Sequence, residues 1–518
     1  MNLIPEKNES SLSYWCSWHT QNIVAMMDCA SKFPPEIAAA MKEGADGAKG
    51  ARMMLNEDLL FGEGGYAHQF DSVRNDLYLM LDDGWDVDYG INPDAHLEKF
   101  GSLIMSEERF PSVKGQTPAQ RLKTINEKVK ALGWKGIGIW IAAQRSAEDF
   151  REPFSEKDIP YWQERILWCR EAGVEYWKVD WGTQAGNVDF RRALTELGHA
   201  LYPALKIEHA ACMGPTNACD HPDEEKRGRF AGEEGLCALS EQIEAYADVF
   251  RSYDVLNALA IPITLDRLVH MLPMATGYVN GEDECYVNAA LGCACGVMRS
   301  PCCQNRFLED GDTRGQRLDE VTATLRWQRI APPFVGTSLS CSEEILFDRR
   351  YFAAGSTWCG SVFGKTISEG APAVVARNLS ADSIRVSGEI KPYVAASLHP
   401  NGVYSVGILP RLIGDECRYP DATVTCEIPV GVDTIGALGL GCDLRLILPT
   451  APAAVYVQSL LSGETASGEA AFGEAASGEA IELTEGLDGR TLTISKELSK
   501  RLFGGRDLTA PALVIRIS

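Results

Sequence analysis

Apolar and polar positions alternate along the first part of the chain in the manner of parallel βα units. From residue 12 to about residue 300, short apolar segments are separated by longer segments with the spacing of an amphipathic helix. The apolar segments that predict strands buried on both faces include 135–141, 174–180, 204–210 and 247–254. The helical segment 159–173 closes with Gly173, a residue typical of helix C-caps. Repetition of this unit predicts a (β/α)8 TIM barrel, with an open doubly wound sheet as the alternative.

The pattern changes near residue 335. Beyond it, helical spacing gives way to short apolar segments separated by Gly, Pro and Asp turns, which is typical of an antiparallel β-sandwich. We therefore expect a catalytic barrel over residues 1–335 and a C-terminal β-sandwich domain over residues 336–518. Within the second domain, the Gly/Ala/Glu/Ser tract 462–480 is of low complexity, and we expect an exposed loop without a chemical role.

Charge and length narrow the class of partner. The 518 residues carry a formal net charge of -23, which argues against binding to the phosphates of nucleic acid and suits a neutral small-molecule substrate. No apolar run reaches the roughly 20 residues that span a membrane, so no membrane partner is expected. The sequence leaves open whether the chain forms a homo-oligomer.

Cysteine usage and the first residues of the chain bear on the compartment. The 16 cysteines are scattered rather than arranged as a compact disulfide framework, and the adjacent pair Cys302 and Cys303 lacks the spacing of a zinc site. The segment 1–15 has neither the basic region nor the apolar region of a secretion signal. These features favour reduced thiols in the cytoplasm, and they predict neither a metal site nor a cofactor.

Polar and aromatic residues recur where the predicted strands end. In a parallel barrel these carboxyl ends meet on one face, where the active site lies. The residues at these ends are Trp18, Asp82, Asp83, Trp140, Lys178, Asp180, Glu208, His209, Arg251 and Asp254. Indole rings that stack on a sugar ring, together with carboxylates that accept hydrogen bonds from hydroxyls, predict a carbohydrate pocket.

Lys178 and Asp180 are two residues apart on a predicted strand, so both side chains point to the same face. A cation at that distance favours the ionised carboxylate, which would keep a nucleophile ready at neutral pH. Taken alone, the segment "WKVDWG" is equally consistent with a strand that ends in a solvated lysine. The other strands that end in similar residues make the functional interpretation the stronger one.

Six short motifs carry a resemblance to a known group of enzymes. They occur in the order, and near the spacing, found in the clan that contains glycoside hydrolase families 27 and 36, the α-galactosidases and their relatives. The motifs are "YWCSWH", "LDDGW", "RFPSV", "GIGIW", "WKVDWG" and "FRSYD". The resemblance covers about residues 12 to 310, and such barrels are usually followed by a β-sandwich.

The resemblance implies a role for most of these residues. Asp180 matches the catalytic nucleophile and Asp254 the general acid/base of a retaining glycosidase. Asp82 and Asp83 match the pair that binds the 4- and 6-hydroxyls of a galactose-type ring. The cationic partners and aromatic walls of the same site are matched by Lys178, Arg251, Trp18 and Trp140.

The chain departs from the family pattern at two places. The segment 207–222, "IEHAACMGPTNACDHP", replaces the family's usual residues at strand five, whose Glu208 and His209 we expect near the 2-substituent of the sugar. This departure leaves the monosaccharide open. The segment 53–78 before strand two is longer than the pattern requires and is either a roof over the site or a structural insertion.

The sequence thus predicts a retaining, exo-acting α-galactosidase on small α-galactosides. The alternatives on the same scaffold are an α-N-acetylgalactosaminidase, a β-L-arabinopyranosidase and a galactosyl transferase. A sugar-binding protein without activity is a further alternative, although it would have no need for both Asp180 and Asp254. A Rossmann-type oxidoreductase is excluded because no G-x-G-x-x-G follows the first strand.

Overall fold

The computed structural model describes most of the chain, with interruptions in both domains. The described residues are 1–26, 47–91, 93–210, 241–252, 260–298, 311–336, 338–346, 357–358, 361–362, 371–414, 416–461, 479–505 and 508–518. Two sequence predictions concern residues that are not described. Asp254 lies outside these ranges, and so does the tract 462–480 apart from its last two residues.

Eight parallel strands form the first domain, and their order follows the sequence around a barrel. The strands are β1 (Tyr14–Cys16), β2 (Tyr78–Leu81), β3 (Gly136–Ile141), β4 (Tyr176–Val179), β5 (Lys206–His209), β6 (Val249–Arg251), β7 (Tyr278–Asn280) and β8 (Gly296–Val297). Strand β1 pairs with both β2 and β8. A bridge between Asn280 and Ala294 links the β7 end to the residues just before β8, so the sheet closes on itself. The predicted barrel is therefore confirmed.

Helices lie between the strands, as the helical spacing predicted. Their described bounds are Trp18–Met26, Gly47–Met53, Glu57–Phe61, Pro93–His96, Pro118–Ala131, Ile159–Ala172, Val188–Leu201, Ala260–Met271, Cys285–Leu291 and Gly311–Ile330. The sequence sets several of these ends. Thr117 and Gln120 form a capping box at the start of one helix. Gly173 ends the next in the left-handed region, with φ of 65°, as predicted.

Two larger sheets and two short hairpins form the C-terminal domain. Its strands are β9 (Leu339–Cys341), β10 (Thr357–Trp358), β11 (Ser361–Val362), β12 (Val374–Arg377), β13 (Ile384–Ser387), β14 (Tyr393–Leu398), β15 (Tyr404–Leu409), β16 (Arg411–Ile413), β17 (Glu416–Arg418), β18 (Thr423–Glu427), β19 (Thr434–Leu438), β20 (Asp443–Ile447), β21 (Val455–Ser459), β22 (Ile481–Glu482), β23 (Leu487–Asp488), β24 (Thr491–Ile494) and β25 (Leu513–Ile517). A helix, Lys496–Phe503, precedes the last strand.

The eight-stranded sheet has the order β22-β21-β25-β19-β15-β14-β12-β9, and the five-stranded sheet has the order β13-β18-β20-β24-β23. Most neighbours are antiparallel, as the sequence predicted, but the pairs β12–β14, β15–β19 and β18–β20 are parallel. The parallel pairs arise because the chain crosses to the other sheet between their two strands. Strand β19, for example, belongs to the larger sheet and separates β18 from β20.

The larger sheet also packs against the barrel. The helix Cys285–Leu291 contacts β14 and β15, and the Ser397 hydroxyl donates to the Ala290 carbonyl at 2.6 Å. The Trp327 indole donates to the Ser405 hydroxyl at 2.9 Å. These contacts belong to one continuous apolar core, so they do not mark where one domain ends and the next begins. The division near residue 335 therefore stays a proposal. Among the described residues, no helix has the length and apolar character needed to cross a membrane.

Candidate active site

The carboxyl ends of the barrel strands bring five of the predicted residues together. Asp82 follows β2, Trp140 lies near the end of β3, Lys178 and Asp180 lie at the end of β4, and Arg251 ends β6. The parallel register aligns Trp140 with Lys178 on neighbouring strands. The side chains of β4 alternate as predicted, so that Lys178 points into the barrel while its neighbours on the strand pack outward.

Asp82 is a buried carboxylate with its own cation. Its Oδ2 atom accepts hydrogen bonds from Lys178 Nζ at 2.7 Å and from the Cys16 thiol at 3.0 Å. The backbone N–H of Asp83 donates to its other oxygen at 2.8 Å. Burial alone would raise the pKa of Asp82, but Lys178 and these hydrogen bonds hold it below its usual value. Lys178, which the resemblance gives as a cationic partner of the site, therefore contacts Asp82 of this acidic pair.

Asp83 pairs with a cation that the sequence did not predict. Its Oδ2 atom lies 2.8 Å from an Arg52 Nη2 atom, and both side chains are buried. The Trp181 indole donates to the same oxygen at 3.3 Å. Burial raises the pKa of Asp83 above its usual value, although Arg52 opposes the shift. The two adjacent carboxylates thus have separate partners.

Gly84 brings Arg52 close to the acidic pair. Gly84 has a φ of 113°, and a Cβ atom built there would lie 2.8 Å from the Arg52 carbonyl oxygen and 3.1 Å from its Cα. Gln21 bridges the two segments, since its amide donates to the carbonyls of Ala51 and Asp83, each at 3.1 Å. Arg109, from the "RFPSV" motif, donates to the Arg52 carbonyl as well. The glycine of "LDDGW" is therefore needed for a close backbone approach.

Asp180 is the most accessible carboxylate of the group, with 18% of its side chain exposed. The Trp140 indole donates to its Oδ2 atom at 3.2 Å. Lys178 Nζ lies 3.7 Å from the same oxygen and Arg251 Nη1 lies 3.8 Å from it. Both cations are too distant for a hydrogen bond with this oxygen, but each places a positive charge beside it. Asp180 is therefore a partly accessible carboxylate with two cationic neighbours.

Glu282 holds Arg251 from the other side. Arg251 Nε donates to its Oε1 atom at 3.0 Å, and burial raises the pKa of Glu282 to about 8 even though Arg251 opposes this. The backbone of Glu282 is left-handed, with φ of 56°, and Asn288 donates to its carbonyl. Glu282 follows β7. Its position just after the seventh strand is the sequence signal that marks it, but the sequence prediction covered strand ends only as far as strand six.

The two predicted residues of β5 point in opposite directions, because adjacent strand residues alternate. Glu208 is fully buried inside the barrel, where Tyr14, Tyr176 and Asn280 donate to its oxygens. His209 faces outward and contacts Thr195 and Arg191 of the helix Val188–Leu201. The expectation that His209 lies at the sugar is therefore corrected.

Aromatic rings line one wall of the site. The Trp140 and Trp181 rings lie 5.2 Å apart, and Phe100 lies 5.3 Å beyond Trp181. Trp18 is half buried at the start of a helix rather than at the end of β1, and it packs against the aromatic and aliphatic residues inside the barrel. Trp181 was present in the "WKVDWG" motif, and its indole contact with Asp83 is a feature that strand alternation alone did not indicate.

The segment 53–78 packs outside the barrel strands up to its last residue, Tyr78, which begins β2. Its residues Leu60, Tyr66 and Phe70 are buried, and the last two contact the ring of Trp15. The structural interpretation of this insertion is thus favoured, although Arg52 directly before it reaches the site. Within the described part of the chain, no group of three or more His, Cys, Asp or Glu residues is arranged to hold a metal ion.

No protein-family model matches the chain, and no curated protein matches it. The chain does match solved structures. An α-galactosidase I from Mortierella vinacea is 11% identical over 97% of this chain and 96% of its own, with a TM-score of 0.37. A Bacillus halodurans protein provisionally named an α-N-acetylgalactosaminidase is 11% identical over 90% and 94%, with a TM-score of 0.44. A family 27 β-L-arabinopyranosidase from Geobacillus stearothermophilus is 11% identical over 55% and 75%, with a TM-score of 0.36.

At 11% identity and with TM-scores below 0.5, these similarities do not identify an activity. The site contains a partly exposed carboxylate between two buried cations, two further carboxylates with separate cations, and an aromatic wall. Such an arrangement suits a neutral polyhydroxylated ligand with a reacting centre beside Asp180.

Proposed function

We propose that the protein is a retaining, exo-acting glycoside hydrolase of the α-galactosidase type. The observation that carries the proposal is the environment of Asp180, whose carboxylate lies between Lys178 and Arg251 without being neutralised by direct hydrogen bonds to either. A carboxylate that is flanked by two cations, oriented by an indole N–H and still accessible suits attack on an anomeric carbon.

In the proposed reaction, Asp180 attacks the anomeric carbon and forms a glycosyl-enzyme ester, while the bond to the leaving oxygen breaks. We assign protonation of that oxygen to Asp254, on the sequence resemblance. Water then attacks the ester on the face that the leaving group vacated, and Asp254 accepts the proton from water. Two inversions at the same carbon give net retention of configuration.

The choice of sugar is assigned to Asp82 and Asp83. An axial 4-hydroxyl that donates to a buried carboxylate is favoured over its equatorial epimer, because the epimer would leave a buried acceptor without a partner. This favours galactosides over glucosides. Lys178 supports the arrangement, since it bridges Asp82 at 2.7 Å and Asp180 at 3.7 Å and so links the sugar-binding pair to the nucleophile.

The test is turnover of nitrophenyl glycosides by the wild-type protein and by Asp180→Asn. We expect hydrolysis of the α-galactoside with retention of configuration, much slower hydrolysis of the α-glucoside, and no turnover by Asp180→Asn. The α-N-acetylgalactosaminide and β-L-arabinopyranoside in the same panel cover the alternatives that the departure at β5 left open. Equal rates on the α-glucoside and the α-galactoside would contradict the assignment of Asp82 and Asp83. Saturable galactose binding without any turnover would favour a sugar-binding protein.

A further inference from the structure

The turn after β7 holds Glu282 in a backbone conformation that residues with a β-carbon rarely adopt, with φ of 56°. Three hydrogen bonds fix this turn. Asn280 Oδ1 accepts from the Glu282 N–H at 2.8 Å, and Asn288 Nδ2 and Cys295 Sγ donate to the Glu282 carbonyl at 2.7 and 3.4 Å. Surroundings that hold a strained residue this firmly indicate a use for its side chain.

The side chain of Glu282 is buried, and its described hydrogen bond goes to Arg251. Oε1 accepts from Arg251 Nε at 3.0 Å, whereas Oε2 forms no hydrogen bond with any residue that the structure describes. Burial raises the pKa of Glu282 to about 8, although Arg251 and two further cations oppose the shift. What the carboxyl group offers Arg251 near neutral pH is therefore an acceptor oxygen, whether or not the group is charged.

The guanidinium of Arg251 faces Asp180 with its other end. Nη1 lies 3.8 Å from Asp180 Oδ2, which is about 1 Å longer than a charge-assisted hydrogen bond. Lys178 lies 3.7 Å from the same oxygen and is bound to Asp82 at 2.7 Å. Each of the two cations beside Asp180 thus has a second carboxyl partner at a shorter distance.

The separation between Arg251 and Asp180 matters because it is small. An arginine released from Glu282 could turn towards Asp180 and form the two parallel hydrogen bonds that a guanidinium and a carboxylate prefer. Such a pair would occupy both carboxylate oxygens and weaken their attack on an anomeric carbon. A shift of about 1 Å therefore separates a flanking cation from one that blocks the nucleophile.

We propose that Glu282 is a positioning residue of the hydrolytic reaction, whose acceptor oxygen restrains Arg251 and so keeps Asp180 free of a closed ion pair with that arginine. The inference rests on the proposed function and deepens it, because it states how a carboxylate stays reactive beside a buried guanidinium. In this role Glu282 acts through Arg251 and does not contact the substrate.

The kinetic test compares two variants of Glu282. Glu282→Gly removes the acceptor and suits the positive φ, whereas Glu282→Gln keeps an acceptor oxygen at the same position. Glu282→Gly should lower kcat for nitrophenyl α-galactoside by about 100-fold, the cost of a misplacement of about 1 Å at reacting groups. KM should change only a few-fold, because Asp82 and Asp83 are untouched, and Glu282→Gln should recover most of the lost kcat. A wild-type kcat in Glu282→Gly, or equal losses in the two variants, overturns the inference.

Asp76→Ala is the matched control. Asp76 is also a buried carboxylate that is bound to an arginine Nε atom, here that of Arg329 at 2.7 Å, and it lies before β2, at the end of the barrel opposite Asp180. Its removal should lower the melting temperature and leave kcat unchanged. An equal loss of kcat in Asp76→Ala and Glu282→Gly would show that general loosening of the fold causes the effect, and the inference would fail.

Crystal structures of the two Glu282 variants separate this inference from the proposed function. In Glu282→Gly, a guanidinium nitrogen of Arg251 should lie about 2.8 Å from the Asp180 carboxylate, whereas Glu282→Gln should keep the wild-type separation. These distances require no turnover, so they test the restraint on Arg251 even if no glycoside is hydrolysed. If glycosides are hydrolysed but Arg251 stays apart from Asp180 in Glu282→Gly, the hydrolase proposal stands and the inference fails.

Discussion

Asp82 and Asp83 are adjacent carboxylates in the protein interior, and each is stabilised by a different cation. Two buried like charges on neighbouring residues would repel strongly in a medium of low dielectric constant. Lys178 offsets the charge of Asp82, and Arg52 offsets that of Asp83. Removal of either cation leaves a buried carboxylate uncompensated, which costs more than the intact pair contributes.

Lys178→Met tests this arrangement. We expect the free energy of unfolding near neutral pH to fall by about 3 kcal/mol, because Asp82 would be left as an unpaired buried charge. The loss should shrink as the pH falls, since Asp82 can then become protonated. The double variant Lys178→Met/Asp82→Asn should recover much of the melting temperature but none of the activity. Calorimetric unfolding of the wild type, the single variant and the double variant makes the comparison. A double variant that melts no higher than Lys178→Met would contradict the role of Lys178 as the partner of Asp82.

The division of labour between the two predicted catalytic carboxylates leads to a second prediction. Asp180→Asn should lower turnover of every glycoside by several orders of magnitude, because it removes the nucleophile. Asp254→Ala removes only proton transfer, so a dinitrophenyl glycoside, whose leaving group needs no proton, should still form the glycosyl-enzyme. Intact mass analysis should detect the sugar, and peptide mapping should locate it on Asp180.

Azide provides the control for these roles. It should speed turnover of Asp254→Ala by attacking the glycosyl-enzyme without a general base, and the product should be the α-azide. With Asp180→Ala, azide would instead replace the nucleophile and give the β-azide. If the α-azide came from the Asp180 variant and the β-azide from the Asp254 variant, the two assignments would have to be exchanged.

At the scale of the element, the segment that carries Arg52 and the turn after β2 fit together because one residue has no side chain. Gly84→Ala introduces a Cβ atom 2.8 Å from the Arg52 carbonyl oxygen at a positive φ. We expect a loss of about 3 kcal/mol in stability and a loss of activity, since the displaced segment carries Arg52 away from Asp83. Melting temperature and kcat/KM measure the two effects.

Gly90→Ala is the comparison for this prediction. Gly90 also has a positive φ, 79°, but a Cβ atom there meets nothing within 4 Å. It should cost about 1 kcal/mol, from backbone strain alone, and activity should survive. If Gly84→Ala behaved no worse than Gly90→Ala, the close approach of the Arg52 segment would be without consequence.

Strand periodicity predicted what lies along the barrel strands but only part of what surrounds the site. The apolar segments marked β3 to β6 within a few residues, and the two-residue spacing placed Lys178 and Asp180 on one face. Strand β1 ends earlier than predicted, at Cys16, so Trp18 starts a helix. The helix Val188–Leu201 covers His209. The sequence pattern predicted that this strand is buried on both faces, so it could not show which side of the barrel His209 faces.

Arg52 shows why other site residues escaped prediction. Its contact with Asp83 joins residues 31 positions apart and depends on a tertiary approach that leaves no local period in the sequence. The only local sign in the sequence is Gly84 of the "LDDGW" motif, and the backbone that passes beside it explains why a glycine is needed there. For the segment 53–78 the sequence leaves two interpretations open, a roof over the site and a structural insertion.

At the scale of the whole molecule, one buried carboxyl makes stability depend on pH. Glu244 is 0% exposed, and neither of its carboxyl oxygens forms a hydrogen bond with a residue that the structure describes. Burial, with a further contribution from Glu241, raises the pKa of Glu244 to about 9. Because the folded state keeps a proton that the unfolded chain releases, stability should fall as the pH rises from the ordinary carboxyl pKa towards that value.

Glu244→Gln removes this titration and should flatten that part of the pH profile. The difference in unfolding free energy between variant and wild type should shift in favour of the variant by about 4 kcal/mol between pH 5 and pH 8. At pH 5 this difference reports mainly the cost of burying an amide in place of a protonated carboxyl group. Melting temperatures at several pH values measure the slope. Glu241→Gln, an exposed neighbour, should change the slope only slightly, and equal slopes in Glu244→Gln and the wild type would mean that Glu244 ionises normally in the folded protein.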